Sequence, residues 1–309
     1  MVLALQIENL CKTFGSGKKR VEAVKNLELA VEPGQVFGFL GPNGAGKSTT
    51  IRMLMDLIRP TQGRALVYGQ DVRREPVVLR RVGALVEGAC FYNFMNGRDN
   101  LMVLSRTAAD GNLERIDVLL EQVGLSDRAN RNVGGYSTGM KQRLGIAAAL
   151  LSDPDLIILD EPTNGLDPAG IQEMRGFIRS LAHEHGKTVF LSSHLLTEVE
   201  QVCDRVAIIH HGKLVRMGKV KELLAGEHQW LRLQVSPLEK ALQLLSENWT
   251  VRADPVSEGW LQIQSDPETS PEIVRRLVAQ DIDVHQIVAE QQTLEAYFMA
   301  VTNQEGNHE

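Results

Sequence analysis

An α/β fold, built on a covered and largely parallel sheet and followed by a small α+β domain, is what this 309-residue sequence predicts. Two apolar runs, "DLIILD" and "KTVFLSS", are continuous rather than alternating, which marks strands buried on both faces. Such strands alternate with helix-length segments through most of the chain, the rhythm of a sheet covered by helices. Near the C-terminus that rhythm gives way to short strands and helices in another order, which separates a second domain.

The elements follow in order. "ALQIENLCKTF" alternates well enough for a strand. "KNLELAVEPGQVFGFL" gives two strands around a turn at Pro33 and Gly34. A glycine-rich loop and a helix, "TTIRMLMDLI", come next, the helix closed by Pro60. "RALVYG" and "VGALVE" read as strands, and the stretch from Gly97 to Val123 as mostly helical. "GGYSTGMKQR", Gly134 to Arg143, runs into the alanine-rich "LGIAAALLS". That is the N-terminus of a buried helix behind a hydroxyl cap, with free backbone N–H groups suited to an anion. "DLIILDEP" is a buried strand, followed by a helix near 170–185, the strand "KTVFLSSH" and the hairpin "RVAIIHHGKLVRMG".

The tail reads as strand "HQWLRLQV", helix "PLEKALQLLSE", strands "WTVRA" and "GWLQIQ", helix "SPEIVRRLVAQ" capped by Ser270, strand "IDVHQIV" and a last helix "TLEAYFMAVT". The order βαββαβ plus one helix is that of a ferredoxin-like unit. The expected domains are therefore residues 1–225, with a helical subdomain at about 90–150, and 226–309.

Charge supports the division. The net value is −6, yet residues 222–309 carry 15 acidic and five basic side chains, against +4 for residues 1–221. An acidic tail suits nucleic acid poorly, because phosphate backbones demand positive charge. No secretory signal is evident in "MVLALQIENL", and the longest apolar runs fall short of the roughly 18 residues of a membrane span. Cys11, Cys90 and Cys203 lack metal-type spacing and read as reduced thiols serving as small core residues. "HEH" at 183–185 and the pair His210–His211 read as surface, and "KKR" at 18–20 as a solvated hairpin loop.

The strongest chemical signal is "GPNGAGKST", running from Gly41 through Pro42, Asn43, Gly44, Ala45, Gly46, Lys47 and Ser48 to Thr49. It fits G-x-x-x-x-G-K-[ST] and lies between a strand and a helix, where a P-loop must lie. The glycines let backbone N–H groups wrap phosphates, Lys47 can neutralise the β and γ phosphates, and Ser48 can offer its hydroxyl to Mg²⁺. "LIILDEP" delivers Asp160 and Glu161 at the C-terminal end of a buried strand, where ligands bind in open α/β sheets. Asp160 would hold Mg²⁺ through water, and Glu161 would polarise the attacking water as general base. His194 ends another core strand on the same edge, placed to hydrogen-bond a γ-phosphate and orient water.

Taken together, "TFG", "GPNGAGKST", "VGALVE", "YSTGMKQR", "LIILDEP", "NGLD" and "FLSSH" make the chain resemble the ATP-binding cassette ATPases over about residues 3–220. "YSTGMKQRLGIAAAL", "VGALVEGACFYNFMNGRDNL" and "TLEAYFMAVT" resemble more closely the ATPase subunits of type-2 exporters of the bacitracin- and daunorubicin-resistance kind. The resemblance implies a P-loop NTPase cassette that binds ATP and Mg²⁺ and hydrolyses ATP to ADP and phosphate. By that resemblance Phe14 stacks on adenine, Asp167 belongs to the loop linking two active sites, and Ser137 and Gly139 contact the γ-phosphate of a nucleotide held by another subunit. Two features depart from the family pattern. Glu87 stands where glutamine is usual, able to approach Mg²⁺ or water but adding a charge. The signature reads Y-S-T-G-M, with Thr138 and Met140 in place of glycine and glutamine.

The implied partners are a separate transmembrane permease, docked around Glu87 and the helical 90–130 region, and a second copy or a related ATPase subunit. The place is cytoplasmic, peripheral on the inner face of the cell membrane, and no nucleic acid is expected. A cassette ATPase acting on ribosomes or DNA is the alternative, disfavoured by the single cassette, the lack of a long coiled-coil insertion and the acidic tail. A non-hydrolysing nucleotide-gated module is disfavoured by Glu161 and His194.

Overall fold

The computed structural model describes residues 2–88, 90–107, 113–225, 230–254, 257, 259–265, 267–290, 293–295 and 297–299. The chain divides into two compact units between Val220 and Lys221.

The first unit holds β1 (Leu5–Phe14), β2 (Val21–Val31), β3 (Val36–Leu40), α1 (Lys47–Leu54), β4 (Gln62–Val67), β5 (Gln70–Asp71) and β6 (Val82–Leu85). The helices α2 (Gly97–Thr107), α3 (Arg115–Gln122) and α4 (Thr138–Ala149) follow. Next come β7 (Leu156–Asp160), α5 (Pro168–His183), β8 (Thr188–Ser193), α6 (Leu196–Val202), β9 (Arg205–His210) and β10 (Lys213–Lys219), and α7 (Val220–Ala225) begins at the division.

Two sheets, not one, build this unit. A six-stranded sheet runs β10-β9-β3-β8-β7-β6, parallel except for the edge hairpin β9–β10. The strands β2-β1-β4-β5 form a separate antiparallel sheet. The difference lies in the side chains. All five residues of β3 and of β7 are buried, as central parallel strands require, whereas β2 leaves a face exposed. α1 packs on strands of both sheets, and Ile51, Met53 and Leu54 share one core with Leu5, Leu27, Phe37, Phe39, Ile158 and Phe190. Phe37 and Phe190 stack at 5.8 Å across β3 and β8. α5 and α6 pack on β3.

α1 is shorter than the sequence pattern indicated. Asp56 adopts φ 53°, and the Leu57 N–H donates to the Arg52 carbonyl at 2.8 Å. This Schellman-type stop ends the helix well before Pro60. The thiols also need correction: Cys203 is buried, but Cys90 is exposed and Cys11 only half-buried. Burial raises the Cys203 thiol well above its ordinary pKa.

The second unit holds β11 (Trp230–Ser236), α8 (Leu238–Ser246), β12 (Thr250–Ala253), β13 (Trp260–Gln264), α9 (Ser270–Val278) and β14 (Asp283–Glu290). Its antiparallel sheet runs β12-β13-β11-β14, the ferredoxin-like order. Leu231, Leu233, Leu261 and Ile263 meet Ala241 and Leu245 of α8 and Ile273 and Leu277 of α9 in a separate core. On the same side of the sheet as one another, Arg232 lies over Trp260 and Arg252 over Trp230. Ser270 is the first residue of α9 and Thr269 precedes it, so Ser270 does not cap the helix. The last helix expected in "TLEAYFMAVT" lies partly outside the described residues; within them, Tyr297 N–H donates to the Thr293 carbonyl at 3.0 Å. Among the described residues no helix is long and apolar enough to cross a membrane.

Candidate functional site

The C-terminal ends of β3, β7 and β8 deliver the site. From β3 the chain enters Gly41–Gly46, where the exposed Pro42, Asn43 and Gly44 form the outer rim and Ala45, Gly46 and Lys47 turn inward. Two glycines are required by their surroundings. A Cβ on Gly41 would lie 2.4 Å from the Ile209 carbonyl oxygen. Gly46, at φ 107°, would bring one to 2.5 Å from that of Ala23. Lys47 opens α1 with only 6% of its surface exposed. Its ammonium donates to the Gly41 carbonyl at 2.7 Å and to that of Pro42 at 3.3 Å. Ser48 and Thr49 are half-buried in the first turn, and the Thr50 hydroxyl donates to the Gly46 carbonyl.

Asp160 closes β7 and Glu161 follows it. The Ser192 hydroxyl of β8 donates to Asp160 Oδ1 at 2.5 Å and accepts from the Glu161 N–H at 3.0 Å. Glu161 sits at φ 51°. One of its carboxylate oxygens lies 3.2 Å from Lys47 Nζ and the other 2.6 Å from His194 Nδ1. The structure therefore gathers Lys47, Asp160, Glu161 and His194 at one sheet edge. Ser192, which ties the Asp160 carboxylate and the Glu161 backbone to the neighbouring strand, was visible in the sequence only as one of two serines before His194.

Phe14 is 42% exposed at the end of β1, with Lys12 Nζ 4.9 Å from its ring centre. β-Pairing carries it toward the phosphate loop: Phe14 lies opposite Val21 of β2, and Ala23 and Val24 of β2 pack against Gly46. Glu87 is placed differently. It follows β6, which runs parallel beside β7 with Leu85 opposite Leu159; it adopts φ 60°, and its carboxylate forms an ion pair with Arg52 of α1.

Ser137 and Gly139 line a cleft of about 590 Å³ together with Thr138, Leu166, Asp167 and Arg143, and no residue of Gly41–Thr49 lines it. Ser137 is the N-cap of α4, its hydroxyl accepting from the Met140 N–H at 3.2 Å. Asp167 caps α5 in the same way, accepting from the Gly170 N–H at 2.9 Å. Two capped helix N-termini thus open into one cleft, and at the α4 end the cap is an uncharged hydroxyl, which leaves room for an anion. Tyr136 braces the approach: its hydroxyl donates to the Arg128 carbonyl at 2.6 Å, and burial raises its pKa. The segment after Glu87 is tied in as well, through Val133 N–H to the Met95 carbonyl and Gly134 N–H to that of Asn93, both at 2.9 Å. Among the described residues no group of three His, Cys, Asp or Glu side chains could hold a metal by itself.

The chain is similar to known proteins along its length. The family model described as ABC transporter matches residues 24–164. The bacitracin transport ATP-binding protein BcrA of Bacillus licheniformis is 41% identical, over 97% of this chain and 97% of that protein. BcrA of Enterococcus faecalis is 35% identical, over 96% of each. Among solved structures, the dimeric structure of a bacterial ABC transporter cassette is similar, with a TM-score of 0.63, 25% identity and coverage of 70% of this chain and 98% of that one. The chain belongs to the ABC transporter family, as one of its ATP-binding ATPase subunits.

Proposed function

We propose that this chain powers export of a drug, peptide or lipid-like substrate through a separate transmembrane permease, working as a pair of cassettes on the cytoplasmic face of the membrane. In that pair each ATP lies between the P-loop of one subunit and the Ser137–Gly139 segment of the other. The observation that carries the reading is the separation of the two anion sites. Lys47, Glu161 and His194 converge at one edge, while Ser137, Gly139 and Asp167 open into a cleft that no P-loop residue lines. One subunit therefore presents two half-sites, and a second copy or a related subunit would complete both. Full-length similarity to bacitracin transport ATP-binding proteins supports the exporter assignment.

In this reading Phe14 stacks on adenine. The N–H groups of Gly41–Gly46 and the Lys47 ammonium take the phosphates, so Lys47 exchanges Glu161 for nucleotide. Glu161 then accepts a proton from water, and His194, already in contact with it, fixes its orientation and the γ-phosphate. The residues present fit Mg²⁺: the Ser48 hydroxyl and the Asp160 carboxylate are hard oxygen donors. Bound there, the ion would neutralise phosphate charge. Glu87 would join them only on leaving Arg52.

The exposed pair Tyr92 and Phe94, with rings 5.8 Å apart, supports a permease contact beside Glu87. Asn93 between them accepts the hydrogen bond from Gly134, so a push there reaches Ser137 through one loop. Size-exclusion chromatography of Glu161→Gln tests the pairing: the variant should bind ATP and elute as a dimer with ATP and Mg²⁺. A monomer with nucleotide bound would refute the sandwich. Purification from membranes should recover an integral membrane protein; recovery of ribosomes or DNA instead would overturn the exporter reading.

A further inference from the structure

Two contacts join the segments that follow β7 and β8. One is Glu161 to His194, facing the nucleotide edge. The other lies beneath it, between Thr163, two residues after Glu161, and Glu198, four residues after His194. The Thr163 hydroxyl donates to Glu198 Oε2 at 2.5 Å, with only 8% and 7% of the two residues exposed. A buried carboxyl group is costly and is kept where it is paired. Nothing in the proposed chemistry uses Glu198.

We propose that Glu198 is a positioning residue for hydrolysis: its buried hydrogen bond to Thr163 sets the spacing at which Glu161 meets His194. The inference rests on the roles given above to those two residues. The geometry supports it from both sides of the tie. Thr163 lies on the loop from Glu161 to Asp167, the N-cap of α5, two residues after Glu161. Glu198 lies on α6; Val199 of that helix and Cys203 just after it close on Gly38 of β3, where a Cβ would meet them at 2.7 and 2.9 Å. Farther along, Arg175 of α5 donates to the Gln201 side chain at 2.5 Å and Arg179 to the Gln201 carbonyl at 3.0 Å. The two helices are thereby bolted together, and the Thr163–Glu198 bond is the bolt nearest the site. Losing it lets the Glu161 loop and the His194 loop part, with the P-loop untouched. Asp167, at the far end of the Thr163 loop, shares the same anchor, so strain at that cap reaches the Glu161–His194 contact.

The test is steady-state ATPase and equilibrium ATP binding on the full chain, for Glu198→Ala, Glu198→Gln, Thr163→Val and Thr163→Ser, beside wild type and Glu161→Gln. Losing one buried hydrogen bond at a catalytic pair should lower kcat about tenfold or more in Glu198→Ala and Thr163→Val. ATP affinity should stay within about threefold, because the phosphate loop is unchanged. Thr163→Ser, which keeps the hydroxyl, and Glu198→Gln, whose amide oxygen can accept, should recover most of the rate. Ile178→Val, in the α5 core, controls for stability: it should lower Tm and leave kcat unchanged. Wild-type kcat in Glu198→Ala, or Thr163→Ser as slow as Thr163→Val, overturns the proposal. If Glu198→Ala does not fold, the Thr163→Val and Thr163→Ser pair decides alone. Full turnover in Glu161→Gln would instead refute the underlying assignment, so the two failures are told apart.

Discussion

Glu161 meets His194 across the ends of two neighbouring strands, Oε2 to Nδ1 at 2.6 Å. Register brings them close: Asp160 of β7 pairs with Ser192 of β8, so Glu161 leaves the sheet level with Ser193, one residue before His194. Glu161 takes a left-handed backbone to do this, at a cost of about 1–3 kcal/mol for a residue with a side chain. The Ser192 hydroxyl, bonded to both Asp160 and the Glu161 N–H, offsets part of that cost.

Because the two side chains touch, they should act as one unit. His194→Ala and Glu161→Gln are each expected to lower kcat about 100-fold or more, and the double variant to be little worse than the poorer single one. ATP affinity should change little, since the P-loop supplies the binding. Multiplicative losses in the double variant would show that the residues work independently. Single-turnover assays on the four proteins make the comparison.

Ser137 caps α4 and, in the proposed pair, would also meet the partner's nucleotide, two roles that one substitution would confuse. As the N-cap of α4 it holds the Met140 N–H, and Ser137→Ala should cost about 1 kcal/mol of stability. Ser137→Asn keeps a good cap but replaces the hydroxyl. Both variants should lose at least about tenfold in turnover while binding ATP as monomers, and only the alanine variant should melt earlier. Wild-type turnover in Ser137→Asn would reduce the residue to a cap.

The legibility of this site follows the kind of interaction. Asp160, Glu161 and His194 could be read because each ends a run of core residues, and burial leaves a pattern in one dimension. Ser137 could be read because a cap must precede its helix. The partners Ser192, Arg52 and Glu198 could not, since each depends on which strands or helices lie side by side. The antiparallel sheet around β1 was hidden for a related reason. Alternation shows that a strand is half-exposed but not which sheet it joins. Asp56, a left-handed stop without glycine, likewise gave no breaker signal ahead of Pro60.

Arg52 of the P-loop helix and Glu87, just after β6, form an ion pair, and both are substantially exposed. Such pairs contribute at most about 1 kcal/mol, so Glu87→Gln should barely alter Tm. Charge is another matter. Arg52 lies five residues beyond Lys47, about 7.5 Å along a helix, within a Debye length of about 8 Å at physiological salt. Arg52→Gln, which leaves the Glu87 carboxylate uncompensated, should weaken ATP binding by about two- to fivefold at low salt. Adding Glu87→Gln should restore it, and high salt should shrink the effect. A loss unchanged by salt or by the second substitution would exclude the electrostatic cause.

Asp153 joins the helical segment to the sheet: Lys187 Nζ, just before β8, donates to its carboxylate at 2.7 Å, and Arg115 of α3 lies 3.1 Å from the other oxygen. These two cations, the lysine hydrogen bond foremost, hold its carboxyl below the ordinary aspartate pKa against a smaller opposing effect of burial. A pKa lowered by folding stabilises above the unfolded value, and the contribution disappears as pH falls through the folded one. The side chain is 55% exposed, so solvent screening limits the effect to about 0.5–1 kcal/mol. Asp153→Asn should therefore melt slightly earlier than wild type at pH 7, and the gap should narrow at acid pH as pH falls below the ordinary aspartate range. Asparagine tolerates the left-handed backbone of this position, φ 49°, so strain does not confound the comparison. A gap of equal size at neutral and acid pH would trace the loss to packing rather than to charge.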